Sequence, residues 1–191
     1  IRGMIEVAEK NADNPEKQSE CRSKIWTASG YLLELVNDVL DMSKLESGET
    51  VLESVPFDIY EIIDEIAALN EQNTLKRNIS LTFEHCENLH NRLIGSPVHV
   101  KRILMNIVSN AVKYSKDGGN VKVSLNEVSS DNKVSVIKIK CEDDGIGIGE
   151  EFRKVMFESF RQENDRARTS YQGTGLGLAI AKCLTDKMNG E

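Results

Sequence analysis

Gly173-Thr174-Gly175-Leu176-Gly177-Leu178 runs directly into Ala179-Ile180-Ala181, a Gly-rich turn opening an apolar helix. Such a turn presents N–H groups that lack intrahelical partners, at the positive end of the helix dipole. That is a phosphate-binding arrangement. The stretch lacks the Gly-Lys-Ser/Thr ending of a Walker loop, so any phosphate is held differently. Upstream, residues 158–173 are polar and poor in aliphatics, and they carry Arg161, Arg166 and Arg168. A basic stretch between two Gly-rich blocks suits a lid over phosphates. A solvated loop would look the same.

The second Gly-rich block is Asp143-Asp144-Gly145-Ile146-Gly147-Ile148-Gly149, at the end of an alternating apolar run. Closely spaced glycines let backbone approach a flat ligand. A carboxylate at a strand end can accept a hydrogen bond from an exocyclic amine such as that of adenine. A plain turn would also use these residues. The block is no Rossmann fingerprint, because no strand-turn-long-helix unit with a later acidic residue surrounds it.

Further upstream, Ser96-Pro97 is an N-cap with proline at the first helical position, and the helix it opens runs to about Tyr114. Asn106 and Asn110 share one face of it, and Lys113 follows on the same side. Asn offers an oxygen to a hard cation without adding charge, and Lys reaches phosphate as a point charge. A solvated polar face would carry the same residues.

The N-terminal part has another character. Ile1, Met4, Ile5 and Ala8 fall at helical spacing, and Asn14-Pro15 opens a second helix running to about Leu45. Ile25, Ala28, Leu32, Leu35, Val39 and Met42 form an a/d seam. Leu33, Val36 and Leu40 widen it beyond a two-stranded coil. Two helices cannot bury so wide a stripe, which predicts a homodimeric four-helix bundle. The alternative is a helix packed on its own domain. Ser47-Gly48 ends this helix. The expected organisation is α+β: a helical hairpin over residues 1–48, then a two-layer α/β sandwich over 49–191. In the sandwich, a strand is expected from Val51 to Phe57 and a helix capped by Asp58. Further strands are expected at Ile79–Phe83, Arg92–Gly95, Val121–Leu125 and Val134–Ile139. A short helix near Glu150 and a final helix from about Thr174 to Met188 complete it.

Composition narrows the class. The chain has 191 residues, 39% apolar and 29% charged, which is globular. A net charge of −7 excludes nucleic acid as the partner of the whole chain. Cys21, Cys86, Cys141 and Cys183 form no CxxC pair, which argues against zinc, and they read as reduced thiols of a cytoplasmic protein. No apolar run reaches membrane-spanning length, and no signal peptide is visible.

Four blocks stand in order: 106–114, Asp143-Asp144-Gly145-Ile146-Gly147, Phe157-Glu158-Ser159-Phe160 and 173–178. Together they resemble the N, G1, F and G2 boxes of the catalytic domain of sensor histidine kinases, an ATP-binding fold of the Bergerat type. Residues 40–48 resemble the end of the second helix of that family's dimerisation and phosphotransfer module. The resemblance implies ATP and Mg2+ as cofactors, a homodimer, and a response-regulator receiver domain as partner. It implies that Asp143 binds the adenine amine, with Gly145, Gly147 and Ile148 beside it. Asn110 with Asn106 would hold magnesium, and Lys113 and Tyr114 would meet phosphate or the nucleotide edge. Gly173, Thr174, Gly175, Leu176, Gly177 and Leu178 would cradle the phosphates. Phe157 and Phe160 would anchor the near end of the lid by packing, with Arg161 beside them.

The chain departs from the family in several places. The acceptor histidine of the family lies on the first bundle helix, whereas His85, His90 and His99 fall in the sandwich. The chain is therefore expected to be an excised piece that binds Mg-ATP without phosphorylating itself. Any membrane anchor would lie in other parts of the parent protein. Ser96 stands where the family has Asp, and Ser caps equally well. The family's sheet continues past the final helix, so a C-terminal hairpin is expected to be missing. Related ATPases carry a Glu, as base for water, where Asn106 stands, and a neutral amide cannot take that proton. A non-catalytic dimer scaffold and a Ser/Thr kinase of the same fold are the remaining readings.

Overall fold

The computed structural model describes residues 1–87, 89–130, 134–163 and 173–191. Helix α1 (Arg2–Lys10) packs against the long helix α2 (Pro15–Glu46). Asn14 caps α2 by accepting from Lys17 N at 3.0 Å, with Pro15 in the first turn. Ser47 closes α2, and Gly48 turns the chain at φ 76°. The apolar stripe of α2 is exposed on this single chain: Leu32, Leu33, Val36 and Leu40 are 55%, 63%, 45% and 53% accessible. No helix among the described residues is long and apolar enough to cross a membrane.

The remainder is the expected α/β arrangement. Strand β1 (Val55–Asp58) pairs antiparallel with β3 (Arg92–Gly95). A second sheet has the order β2 (Ser80–His85), β4 (Asn120–Ser130), β5 (Ser135–Asp143). In it β2 runs parallel and β5 antiparallel to β4. Val121, Val123 and Leu125 of β4 alternate onto one buried face. Against them pack Ile59, Ile62 and Ile66 of α3 (Ile59–Arg77) and Leu104 and Val108 of α4 (Pro97–Tyr114). Short helix α5 (Glu150–Arg153) precedes the final helix α6 (Gly177–Lys187). Leu176, Ile180 and Leu184 form a separate small core with Ile103 of α4 and with Met42 and Leu45 of α2. This apolar seam holds α2, α4 and α6 together around the start of α6.

Three details differ from expectation. The first strand begins at Val55 rather than Val51, because pairing with β3 starts only where Val55 meets Gly95. The last helix begins at Gly177 rather than Thr174, since Thr174 lies in the turn and accepts from Leu176 N at 3.2 Å. Ser96 occupies the N-cap of α4 but makes no capping bond with its side chain. It is buried, and its Oγ accepts from Glu53 N at 3.2 Å and pairs with His99 Nδ1 at 2.6 Å. That hydroxyl ties residue 53 to the sandwich instead of capping the helix.

Candidate functional site

Helix α4 is the spine of the site. Asn106, Asn110, Lys113 and Tyr114 all lie on it, each partly buried. The two Gly-rich turns meet this helix at neighbouring places. The Asp143 turn lies on its C-terminal end, where Ile146 N donates to Tyr114 O at 3.3 Å. A Cβ built on Gly145 would stand 2.3 Å from Tyr114 O and 2.6 Å from Asp143 Oδ1. Only glycine lets the chain pass so close to another backbone. Gly145 N donates to Asp143 Oδ1 at 2.9 Å, which orients an otherwise exposed carboxylate at the end of β5. Gly147 and Ile148 follow on the exposed side of the turn.

The other turn lies along α4 toward its middle. A Cβ on Gly173 would stand 2.7 Å from Lys113 Nζ, and one on Gly177 would stand 3.3 Å from Asn106 Oδ1. Side chains of the first block thus lie against the glycines of the last, although some sixty to seventy residues separate them in sequence. Gly175 has φ 72°, and its carbonyl accepts from Phe160 N at 3.0 Å. Gln162 Nε2 is bonded to Gly173 O. Leu176 is fully buried beneath the turn, and Thr174 and Leu178 are partly buried.

Lys113 and Asn106 set the charge and polarity of this face of α4. Burial pushes the Lys113 ammonium below its usual range, and the Glu34 carboxylate opposes that shift. Its Nζ also lies 5.1 Å from the centre of the Tyr114 ring. Asn106 Nδ2 is buried and has no hydrogen-bond partner among the described residues. A buried donor left idle is costly, and an entering acceptor would satisfy it.

Two expectations need correction or restriction. Phe157 and Phe160 are 49% and 63% exposed, so neither anchors anything by burial in the core. Phe160 has φ 62°, and its backbone N donates to Gly175 O at 3.0 Å. Arg161 is exposed and bonded to Glu158 Oε2 at 2.9 Å. Arg166 and Arg168, with most of the expected lid, lie outside the described residues.

Sequence reasoning missed the residues that fix the site in place. Asp144 accepts from Ser115 Oγ at 2.9 Å and from Asn120 N at 3.1 Å, fastening the first turn to the end of α4 and the start of β4. These bonds, the Ser115 hydroxyl first, hold its carboxyl below the usual carboxylate range. A lowered pKa means the anchorage is complete above the ordinary carboxylate range and is lost as pH falls through the lowered value. Protection of the amides of residues 143–148 against exchange, taken relative to their intrinsic rates, should therefore persist below the ordinary carboxylate range. In Asp144→Asn that protection should be weaker at neutral pH and should no longer change as pH falls through the carboxylate range. Equal exchange in both proteins would dismiss the anchor. The adjacent acidic pair in the sequence was the available signal, but nothing in it told the two carboxylates apart.

The family model for histidine kinase-, DNA gyrase B- and HSP90-like ATPases matches residues 95–191, just over half of the chain. The chain belongs to this family. It is similar to the signal transduction histidine-protein kinase BarA of Escherichia coli (strain K12), with 33% identity over 91% of the chain and 19% of BarA. It is also similar to the sensor histidine kinase GacS of Pseudomonas protegens, with 30% identity over 100% of the chain and 21% of GacS. The chain thus spans about a fifth of the length of these curated relatives. Among solved structures, full-length ShkA in complex with AMPPNP aligns with TM-score 0.73 and 27% identity, over 92% of the chain and 35% of ShkA. Histidine kinase ThkA in complex with response regulator protein TrrA aligns with TM-score 0.73 and 26% identity, over 98% of the chain and 50% of ThkA. The fold is that of the Bergerat-type catalytic domain of histidine kinases, and the family member here is an ATP-binding module.

Proposed function

We propose that this chain is the catalytic part of a histidine kinase, which positions Mg-ATP for transfer of its γ-phosphoryl to a histidine and onward to a receiver-domain aspartate. The observation that carries this reading is the meeting of both Gly-rich turns on one helix, with Lys113 against Gly173 and Asn106 against Gly177. Phosphoryl transfer asks mainly for positioning and charge neutralisation. Asp143 would take the adenine amine, with Gly145, Gly147 and Ile148 around the base. Lys113 and the N–H groups of 173–178 would hold phosphate oxygens, with Tyr114, Phe160 and Arg161 at the margin. Among the described residues, no group of three His, Cys, Asp or Glu comes together as a metal site. The carboxamide oxygens of Asn110 and Asn106, with phosphate oxygens and water, would then hold the magnesium ion.

In the transfer the bond from the γ-phosphorus to ADP breaks and a bond to imidazole nitrogen forms, with loss of the imidazole proton. The histidines of this chain have other partners: Tyr60 for His85, Glu127 for His90 and Ser96 for His99. In this reading the acceptor would be a histidine other than these three, as the resemblance of the helical hairpin implies. Labelled ATP tests the reading. The chain should bind Mg-ATP and acquire no acid-labile label on His85, His90 or His99. Stable histidine label within the chain, or brisk hydrolysis abolished by Asn106→Ala, would reverse it.

The domain division at about residue 48 and the homodimer belong to the same proposal. The exposed stripe on α2 suits a second copy of the hairpin, and a TrrA-like response regulator suits the bundle so formed. The cytoplasm is the expected compartment. Leu32→Glu places a charge in the seam, and burying it unpaired is unfavourable enough to raise the dimer dissociation constant by roughly a hundredfold. Sedimentation should show a dimer for the parent and a monomer for the variant at the same concentration. A monomeric parent would remove the homodimer.

A further inference from the structure

Glu34 and Asp38 lie one turn apart on α2 and so share a face. That face is turned toward the Gly-rich start of α6. Asp38 is only 4% exposed. One of its oxygens is paired with Arg102 Nη2 of α4, and the other accepts from Thr174 Oγ1 at 2.8 Å. Arg102 Nη2 lies also 3.2 Å from Asp41 Oδ2. Glu34 is exposed, and its charge acts on Lys113, the ammonium that stands against Gly173.

The buried Asp38 carboxylate therefore holds a hydroxyl of the phosphate turn, and Glu34 stands one turn away on the same face of α2. The docked arrangement also leaves donors unused. Arg102 Nε and Asn106 Nδ2, one turn apart on α4, are both buried without a partner among the described residues. Polyphosphate oxygens entering beside Thr174 would satisfy such donors, which the α2 carboxylates do not reach. Like charges brought together in a partly buried site repel.

We propose that the acidic face of α2 is a built-in competitor of the nucleotide, so that docking of α2 on the Gly-rich turn and binding of Mg-ATP oppose each other. The proposal rests on the nucleotide reading given above. Linkage makes the effect reciprocal: a bound nucleotide loosens the hold of α2 by the same factor that α2 weakens the nucleotide. The catalytic layer would then leave the bundle helix preferentially when loaded.

The test is titration of the chain, Asp38→Asn, Glu34→Gln and the double variant with a fluorescent Mg-ATP analogue. Each single substitution should tighten binding by about three- to tenfold, and the double variant further. Glu34 is exposed, so its replacement leaves the fold intact even if the buried Asp38 does not tolerate change. Unchanged or weaker binding in Glu34→Gln and Asp38→Asn, with the parent still binding, would overturn the competition and leave the nucleotide site standing. Failure of every protein to bind would overturn the nucleotide reading and the competition with it.

Discussion

Gly145→Ala is expected to raise the dissociation constant for Mg-ATP by at least about a hundredfold while leaving the fold intact. The added Cβ would stand 2.3 Å from Tyr114 O and 2.8 Å from Tyr114 C, which are backbone atoms at the end of a helix. Neither can retreat as a flexible side chain would. The turn must lift instead, breaking the 3.3 Å bond from Ile146 N to Tyr114 O and the 2.9 Å bond from Gly145 N to Asp143 Oδ1. Asp143 then loses the orientation it needs for an adenine amine, and misplacement by about an ångström is enough for losses of this size. Gly147→Ala is the control. Gly147 has φ 70° but nothing within 4 Å of its absent Cβ, so substitution there meets strain without collision. Left-handed backbone costs an L-residue about 1–2 kcal/mol, or roughly tenfold in affinity if binding bears all of it. Fluorescent nucleotide titration with circular dichroism separates the two variants. Parent-like affinity in Gly145→Ala would show that this turn does not hold the base.

The contrast between these glycines shows what a sequence can and cannot carry. The elements were legible because each follows a local period. The Ile59, Ile62, Ile63, Ile66 stripe and the Val121, Val123, Leu125 alternation lie on the buried faces as expected. The exposed stripe of α2 was legible for the same reason. The family blocks named the turns. No local signal says that Gly145 touches Tyr114 or that Gly177 touches Asn106, since those contacts arise only when distant segments pack. Asp38 is the sharpest case. It sits beside the apolar seam like any solvated helix residue, yet Arg102 and Thr174, from distant segments, bury it. The exposure of Phe157 and Phe160 was equally invisible, because aromatic residues between polar ones are usually assigned to a core. The positive φ at Phe160 is likewise a backbone property that side-chain periodicity does not report.

Arg77→Ala is expected to destabilise the chain by about 2–3 kcal/mol, the cost of leaving several helix-end carbonyls without donors. The last carbonyls of α4 are each accounted for. Ala111 O accepts from Ser115 N at 2.9 Å, and Tyr114 O from Ile146 N at 3.3 Å. Val112 O and Lys113 O accept from Arg77 Nη1 at 2.7 and 3.0 Å, and Ser115 O accepts from Arg77 Nη2. Arg77 Nε completes the fork on Asp117 Oδ1 at 2.7 Å, and the side chain is only 20% exposed. A planar guanidinium can serve three carbonyls and a carboxylate at once, and its charge suits the negative end of the helix dipole. An ammonium cannot span them, so Arg77→Lys should recover less than half of the loss. For a chain of this length the alanine variant should melt roughly 4–12 °C lower. The same helix end carries Lys113 and Tyr114 and supports the Gly145 turn, so nucleotide affinity should fall together with stability. Urea unfolding and nucleotide titration on one set of proteins test both effects. A stability loss below about 0.5 kcal/mol would mean that water caps these carbonyls as well as Arg77 does.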